Sequence, residues 1–237
     1  MKQSIFKNLR QITFMPIIFP VNCYVYETKN SLIVIDMGMK GFVKEIEEIK
    51  RATNKPVEML LLTHAHGDHI DGIPQFKKSF PEVPIGISKR DYRLLKGDFS
   101  LDTNEMPGEI KGGYPKVEMP IDFTFDDGEQ LADILVIATP GHTPGSVTFL
   151  TPEGFAIAGD AFQSRGRLAV SGDRVNSFPF PAFATWSKET ALNSAKKIQH
   201  LDLQLLAVGH GDMLENPDKA IEQAVKEFEV KINGKKN

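Results

Sequence analysis

Short apolar runs alternate with amphipathic stretches along most of the chain. Residues 12–19, 23–27 and 32–35 are rich in Ile, Val, Phe and Tyr and read as three strands, with Asn30-Ser31 as the turn between the last two. Phe42, Val43, Ile46 and Ile49, with charges between them, form an apolar stripe at helical spacing. Pro56 then precedes a strand over 57–62, Val57-Glu58-Met59-Leu60-Leu61-Leu62. The same order is expected again from a helix over 73–80, a strand over 85–87 and a helical piece over 91–95. Strand-like runs resume at 134–139, 147–151 and 155–158. A helix over 188–199, a strand over 203–208 and a charged amphipathic helix from Pro217 to about residue 232 complete the pattern, and Lys235-Lys236-Asn237 reads as a frayed end.

Two sets of β segments with helices between and outside them predict an α/β fold of four layers, an αββα sandwich with its loops gathered at one edge. The length, 237 residues, suits one domain spanning 1–237. Residues 97–118 are rich in Gly, Pro and polar residues without periodicity, and read as a loop insertion, ordered or mobile, near that edge.

Composition narrows the classes. Apolar residues make up 41 % and charged residues 25 %, which is ordinary for a folded globular chain. A formal charge of −3 offers no broad attraction for nucleic acid or an anionic membrane, so neither is an expected partner. The one cysteine, Cys23, excludes an intrachain disulfide framework. The opening residues lack a signal-like apolar core, and no run of 18 apolar residues occurs, so the expectation is a cytoplasmic protein for which a homodimer is also open.

The chemistry concentrates in Thr63-His64-Ala65-His66-Gly67-Asp68-His69, directly after the strand over 57–62. Imidazole nitrogens and carboxylate oxygens are the usual ligands of zinc-like ions. In extended backbone His64 and His66 project to one side while Ala65 points away, and Gly67 permits a turn that brings Asp68 and His69 to a neighbouring position. His142, Asp160 and His210 each lie just past a strand-like run, so one edge of the sandwich can collect them all. Asp36, after the strand over 32–35, is the expected oxygen acceptor for a ligand imidazole. His200 closes a charged helix, where an imidazole suits the negative dipole end without any metal.

These residues closely resemble the metallo-β-lactamase superfamily, whose signature is His-x-His-x-Asp-His followed by a distal His, an Asp and a final His. The resemblance runs from Asp36-Met37-Gly38 through residues 64–69, Gly141-His142-Thr143-Pro144-Gly145-Ser146 and Gly159-Asp160 to Gly209-His210-Gly211. It implies that His64, His66 and His142 bind one metal, that Asp68, His69 and His210 bind a second, and that Asp160 bridges them. Two divalent ions are thus expected, zinc first, with iron or manganese as alternatives, and hydroxide bound between them would attack an ester, thioester, lactone or related acyl bond. Asp68 is the expected catalytic residue, orienting the nucleophile or moving its proton. A mononuclear iron oxygenase of the persulfide type, or a metal-containing ligand-binding or regulatory protein, are the alternative readings.

The substrate is expected to be a small molecule. Gln163 stands where members that open acylated homoserine lactones often carry a tyrosine, which lowers the lactonase reading. The C-terminal helix carries Glu222, Glu227 and Glu229 rather than a basic glutathione-binding region, and no long basic arm suggests transfer RNA. Residues 176–186 hold Phe178, Phe180, Phe183 and Trp186, suited either to an apolar wall beside the metals or to fastening the C-terminal helix. Pro179 and Pro181 argue against a regular helix there, and Arg165, Arg167 and Arg174 could reach a carboxylate or phosphate.

Overall fold

The run Leu32-Ile33-Val34-Ile35 has no polar side, so a strand made from it needs cover on both faces. In the computed structural model, which describes residues 1–234, it receives that cover; the expected frayed end lies outside the described residues. One sheet follows chain order: β1 (Lys2–Phe6), β2 (Leu9–Phe14), β3 (Val21–Glu27), β4 (Leu32–Ile35), β5 (Val57–Leu61), β6 (Ile85–Ser88) and β7 (Phe123–Phe125). Its first four strands form an antiparallel meander, and β4 to β7 run parallel. The second sheet draws on β8 (Gln130–Leu131), β9 (Ile134–Ala138), β10 (Val147–Leu150) and β11 (Phe155–Ile157). A small ribbon of β12 (Phe162–Gln163) and β13 (Ala169–Val170) stands apart, and β14 (Leu205–Ala207) and β15 (Leu214–Glu215) complete the second sheet. Its order is β15-β14-β11-β10-β9-β8, with β11 and β14 parallel.

Alternate residues of each strand enter different cores, which defines the layers. Ile33 and Ile35 face Val136, Phe149, Ile157 and Leu205 between the two sheets. Leu32 and Val34 face outward onto α1 (Phe42–Thr53) through Phe42, Val43, Ile46 and Ile49, joined by Phe76 of a neighbouring helix. On the other outer face, Ala156 and Leu206 meet Leu192, Ala195, Ile221 and Phe228. The predicted four-layer αββα sandwich is therefore the observed fold. No helix among the described residues is long and apolar enough to cross a membrane.

The remaining helices are α2 (Gly67–Ile70), α3 (Ile73–Ser79), α4 (Lys89–Leu95), α5 (Phe180–Ala184), α6 (Lys188–Gln199) and α7 (Asp218–Asn233). The expected strand over 12–19 begins earlier and stops at Phe14, because Met15 turns with a positive φ of 45° and Pro16 has no N–H for a ladder. Ile17 and Ile18 are left on an exposed turn. The expectation that Pro179 and Pro181 disfavour a regular helix in this stretch is corrected by α5. Pro181 falls in its first turn, where a missing N–H costs no helical hydrogen bond.

Candidate metal centre

Four strand ends on one edge deliver the chemistry. Asp36 follows β4, His64 to His69 follow β5, Asp160 follows β11 and His210 follows β14, while His142 comes from the loop after β9. The edge is held across the sheets by backbone bonds: Val147 N–H donates to Thr63 O (3.0 Å) and Asn22 N–H to Gly209 O (3.0 Å). Gly209 is confined there, since a Cβ would lie 2.1 Å from Asp160 Oδ1 and 2.6 Å from His69 Cε1.

Each of the five imidazoles is anchored through one ring nitrogen and presents the other to the centre. His69 Nδ1–H donates to Asp36 Oδ2 (2.8 Å), His210 Nδ1–H to Pro20 O (2.6 Å) and His66 Nε2–H to Lys111 O (2.9 Å). His142 Nδ1–H donates to Ser171 Oγ (3.1 Å), and His64 Nδ1–H to Thr63 Oγ1 (3.1 Å), whose own hydroxyl donates to Asp36 Oδ2 (2.8 Å). Such acceptors fix the tautomer and aim the second nitrogen. Asp36 also accepts Thr63 N–H (2.8 Å), and it does so from a left-handed backbone with φ of 62°, a conformation an aspartate tolerates better than most residues. The carboxylate expected to orient a ligand histidine thus holds His69 and the start of the cluster together.

The inward atoms fall into the groups that could hold metal ions. His64, His66 and His142 converge, as do Asp68, His69 and His210, and His64, His69 and Asp160 form a third overlapping group, each with ligand atoms within 4.8 Å of one another. Asp160 Oδ2 is 3.2 Å from both His142 Nε2 and His210 Nε2, and its Oδ1 is 3.4 Å from His69 Nε2, so it touches both sets. Asp68 Oδ2 lies 3.4 Å from His210 Nε2. His64 Nε2, His69 Nε2 and Asp160 Oδ1 are buried without a hydrogen-bond partner. Buried polar atoms ordinarily find one, so this donor set fits divalent cations. The approach of His66 Nδ1 to His142 Nε2, 2.9 Å, points the same way, because two lone pairs at that distance need a cation or proton between them.

The two sets differ in charge when no cation is bound. Burial pushes His64 well below its ordinary range, brings His142 down to about 3 and lowers His66 despite the Lys111 carbonyl. Burial works against protonation of His69 and His210 as well, yet Asp36 and Asp160 raise His69, and Asp160 with Asp68 holds His210 up to about 10. Burial also opposes ionisation of Asp68 and Asp160, but His210 and His69 keep both carboxyls below the usual range. The first set therefore presents neutral imidazoles and the second an imidazolium–carboxylate network.

A cavity of about 320 Å³ opens over the centre. Its floor is His66, Asp68, His142, Asp160 and His210, and its walls are Gly112-Gly113 on one side and Phe180, Pro181, Phe183 and Ala184 on the other. The aromatic stretch thus divides: Phe178 and Trp186 are buried, whereas Phe180 and Phe183 are 51 % and 57 % exposed and face the cavity. The three arginines of that region do not line it. Arg167 pairs with Asp173 (2.6 Å), Arg165 donates to Ile17 O (2.5 Å) and Arg174 stacks over the Phe183 ring (5.5 Å).

Sequence reasoning missed several supports. The Lys111 and Pro20 carbonyls are invisible to it, since every residue carries one. Segment 97–118 reaches the centre itself: Gly67 N–H donates to Gly113 O (2.8 Å), and a Cβ on Gly112 would lie 2.0 Å from His66 Nε2. The Gly112-Gly113 pair was the available signal. Arg90 bonds Glu105 through two nitrogens (2.7 and 2.9 Å) and Arg93 bonds Asp98 (2.9 Å) and Asp102 (2.7 Å), tying this segment to α4.

Comparison with known proteins agrees with this geometry. The model of the metallo-beta-lactamase superfamily matches residues 17–210. The chain is 44 % identical over 227 residues to the uncharacterized protein YobT of Bacillus subtilis (strain 168), covering 95 % of this chain and 97 % of that one. It is 26 % identical over 203 residues to the probable metallo-hydrolase YflN of the same organism, covering 77 % of this chain and 76 % of the relative. The crystal structure of TTHA1623 in a di-iron-bound form superposes with a TM-score of 0.65 at 23 % identity, over 91 % of this chain and 97 % of that one. With a family model spanning most of its length and the ligand-bearing loops gathered at one edge of an αββα sandwich, the chain belongs to the metallo-β-lactamase superfamily.

Proposed function

We propose that the protein is a metal-dependent hydrolase of small acyl substrates: esters, thioesters or lactones. In this reading His64, His66 and His142 hold one divalent ion, Asp68, His69 and His210 hold a second, and Asp160 serves both, with zinc as the first candidate metal. The observation that carries it is the set of five outward-anchored imidazoles whose free nitrogens converge on Asp160 at the floor of a cavity. Two divalent ions at such a centre supply water that is deprotonated near neutral pH and a Lewis acid for the substrate oxygen.

The remaining work falls to side chains. Asp68, with 31 % of its side chain exposed, turns one oxygen toward His210 and stands on the cavity floor, where it can accept the proton of the attacking water and return it to the leaving group. Phe180, Pro181, Phe183 and Ala184 offer an apolar seat for the acyl group. Among the described residues no lysine or arginine lines the cavity, so apart from the metal ions no cationic side chain is there to clamp a phosphodiester; this favours an acyl bond.

The test is metal analysis of unchelated protein followed by turnover assays of the same sample on thioesters, esters, lactones and phosphodiesters. Two equivalents of zinc or a similar ion with acyl turnover, lost on chelation and regained on adding metal, is the expected result. A single iron with oxygen consumption, or filled sites without turnover, would overturn it in favour of an oxygenase or a ligand-binding protein.

A further inference from the structure

A buried carboxylate outside the ligand set connects the two loops that carry the first three histidines. Asp91, in the first turn of α4, is 0 % exposed. Its Oδ2 accepts Ala65 N–H (2.9 Å) and the Thr143 hydroxyl (2.7 Å), and its Oδ1 accepts Gly145 N–H (2.8 Å). Ala65 lies between His64 and His66, and Thr143 follows His142. Apart from the candidate metal ligands, no other side chain among the described residues hydrogen-bonds to both loops. The fit is tight: a Cβ on Gly145 would lie 2.4 Å from Asp91 N and 2.5 Å from its Oδ1. Ser88 closes the junction, accepting Asp91 N–H (3.2 Å) and donating to Gly145 O (2.6 Å).

We infer that Asp91 is a positioning residue for the first metal site, setting the separation of the His64–His66 loop from the His142 loop. The inference rests on the reading of those histidines as metal ligands. Three ligand nitrogens must meet one ion, and those nitrogens come from two loops with no covalent link between them near the site. A carboxylate with acceptors on both oxygens satisfies all three donors at once; an amide with its oxygen toward Ala65 and Thr143 sets its NH2 against Gly145 N–H, turned the other way it sets it against Ala65 N–H, and an aliphatic side chain of similar size accepts none, so each leaves a buried N–H unpaired. Burial pushes the Asp91 carboxyl up to about 6, against the bonds from Thr143, Ala65 and Gly145, so ionising it here is costly and its donors are what offset that cost. The second set is supported elsewhere, by Asp36 on His69 and the Pro20 carbonyl on His210. Loss of the Asp91 junction therefore acts on one site and spares the other.

The experiment titrates metal-free full-length protein with Co2+, following its visible absorption and competition with a chromophoric chelator, in the wild type, Asp91→Asn, Thr143→Val and Thr143→Ser. The expected result is two bound equivalents in the wild type. In Asp91→Asn and Thr143→Val one equivalent weakens by roughly 10- to 100-fold while the other stays near its wild-type affinity. Thr143→Ser, which keeps the hydroxyl, restores wild-type behaviour. Unchanged affinities at both sites, equal weakening of both, or a Thr143→Ser variant as impaired as Thr143→Val would each overturn the positioning role. If Asp91→Asn does not fold, the Thr143 pair decides alone. A wild type that binds no Co2+ sinks the metallo-hydrolase reading and this inference together, whereas two normal sites in every variant sinks only this one.

Discussion

Asp36→Asn isolates what one buried carboxylate contributes to the centre. The substitution keeps the shape of the side chain, and asparagine accepts the left-handed φ of 62° at this position, so backbone strain is not added. The hydrogen bonds, however, no longer close. The carboxylate accepts three donors at 2.8 Å: Thr63 N–H on Oδ1, and the Thr63 hydroxyl and His69 Nδ1–H on Oδ2. An amide turned with its oxygen toward His69 sets its NH2 against Thr63 N–H and orphans a buried donor. Turned the other way, it faces His69 Nδ1 with a donor and drives the imidazole proton onto Nε2, the nitrogen that faces the centre. Either orientation costs about 1–3 kcal/mol. At about 1.4 kcal/mol per factor of ten, that is roughly a 5- to 150-fold loss of affinity for the ion that His69 would hold in the proposed centre, in line with the effect expected when a ligand loses its orienting partner. Competition for Zn2+ against a chromophoric chelator measures it directly. If Asp36→Asn binds both ions within twofold of the wild type, the argument that Asp36 fixes the His69 tautomer is wrong.

Other consequences can be checked in the same protein. Asp68→Asn should retain metal by elemental analysis while kcat falls by about 10²- to 10⁴-fold, and an unchanged rate would remove Asp68 from the proton path. Phe183→Ala should shift the midpoint of thermal unfolding little, because the ring is 57 % exposed, yet raise KM for aromatic or long acyl substrates more than for acetyl ones; an equal shift for both would mean the ring is not part of the acyl seat. Gly209→Ala should abolish metal uptake in a chain that still folds, read by metal analysis beside circular dichroism, since its Cβ has no room next to Asp160 and His69. For Asp91, whose ordinary value of 3.8 is raised to about 6, the folded state favours the protonated acid. Its contribution to stability is therefore full below about pH 4 and is lost as pH rises through 6, a change of roughly 3 kcal/mol at most. Urea unfolding of chelated protein at pH 4 and pH 7 should show this slope in the wild type and a flatter one in Asp91→Asn; parallel slopes would contradict the shift.

Much of the molecule was legible from residue type and spacing, because those are local properties. The helix α6 (Lys188–Gln199) has the bounds its periodicity predicts, β4 is the apolar run Leu32-Ile33-Val34-Ile35, and all seven metal-ligand candidates converge where strand ends meet. Asp36 and His200 also take their expected places, one bonded to His69 and the other at the C-cap of α6. The misses have physical causes. Edge strands such as β1, Lys2–Phe6, are short and largely polar, so no apolar pattern marks them. The aromatic stretch offered two readings, and only packing could assign Phe178 and Trp186 to the core and Phe180 and Phe183 to the cavity.

What the sequence determined by itself was the candidate donor set, the strands that present it and the order of layers, since each follows from side-chain chemistry and the periods of helix and strand. The supports of that donor set were decided only by tertiary structure. Asp91 acts on Ala65 and Gly145, 26 and 54 positions away, and Pro20 offers its carbonyl to His210 across 190 positions. A backbone carbonyl has no identity in a sequence, and a buried aspartate reads like an exposed one until the chain has folded around it.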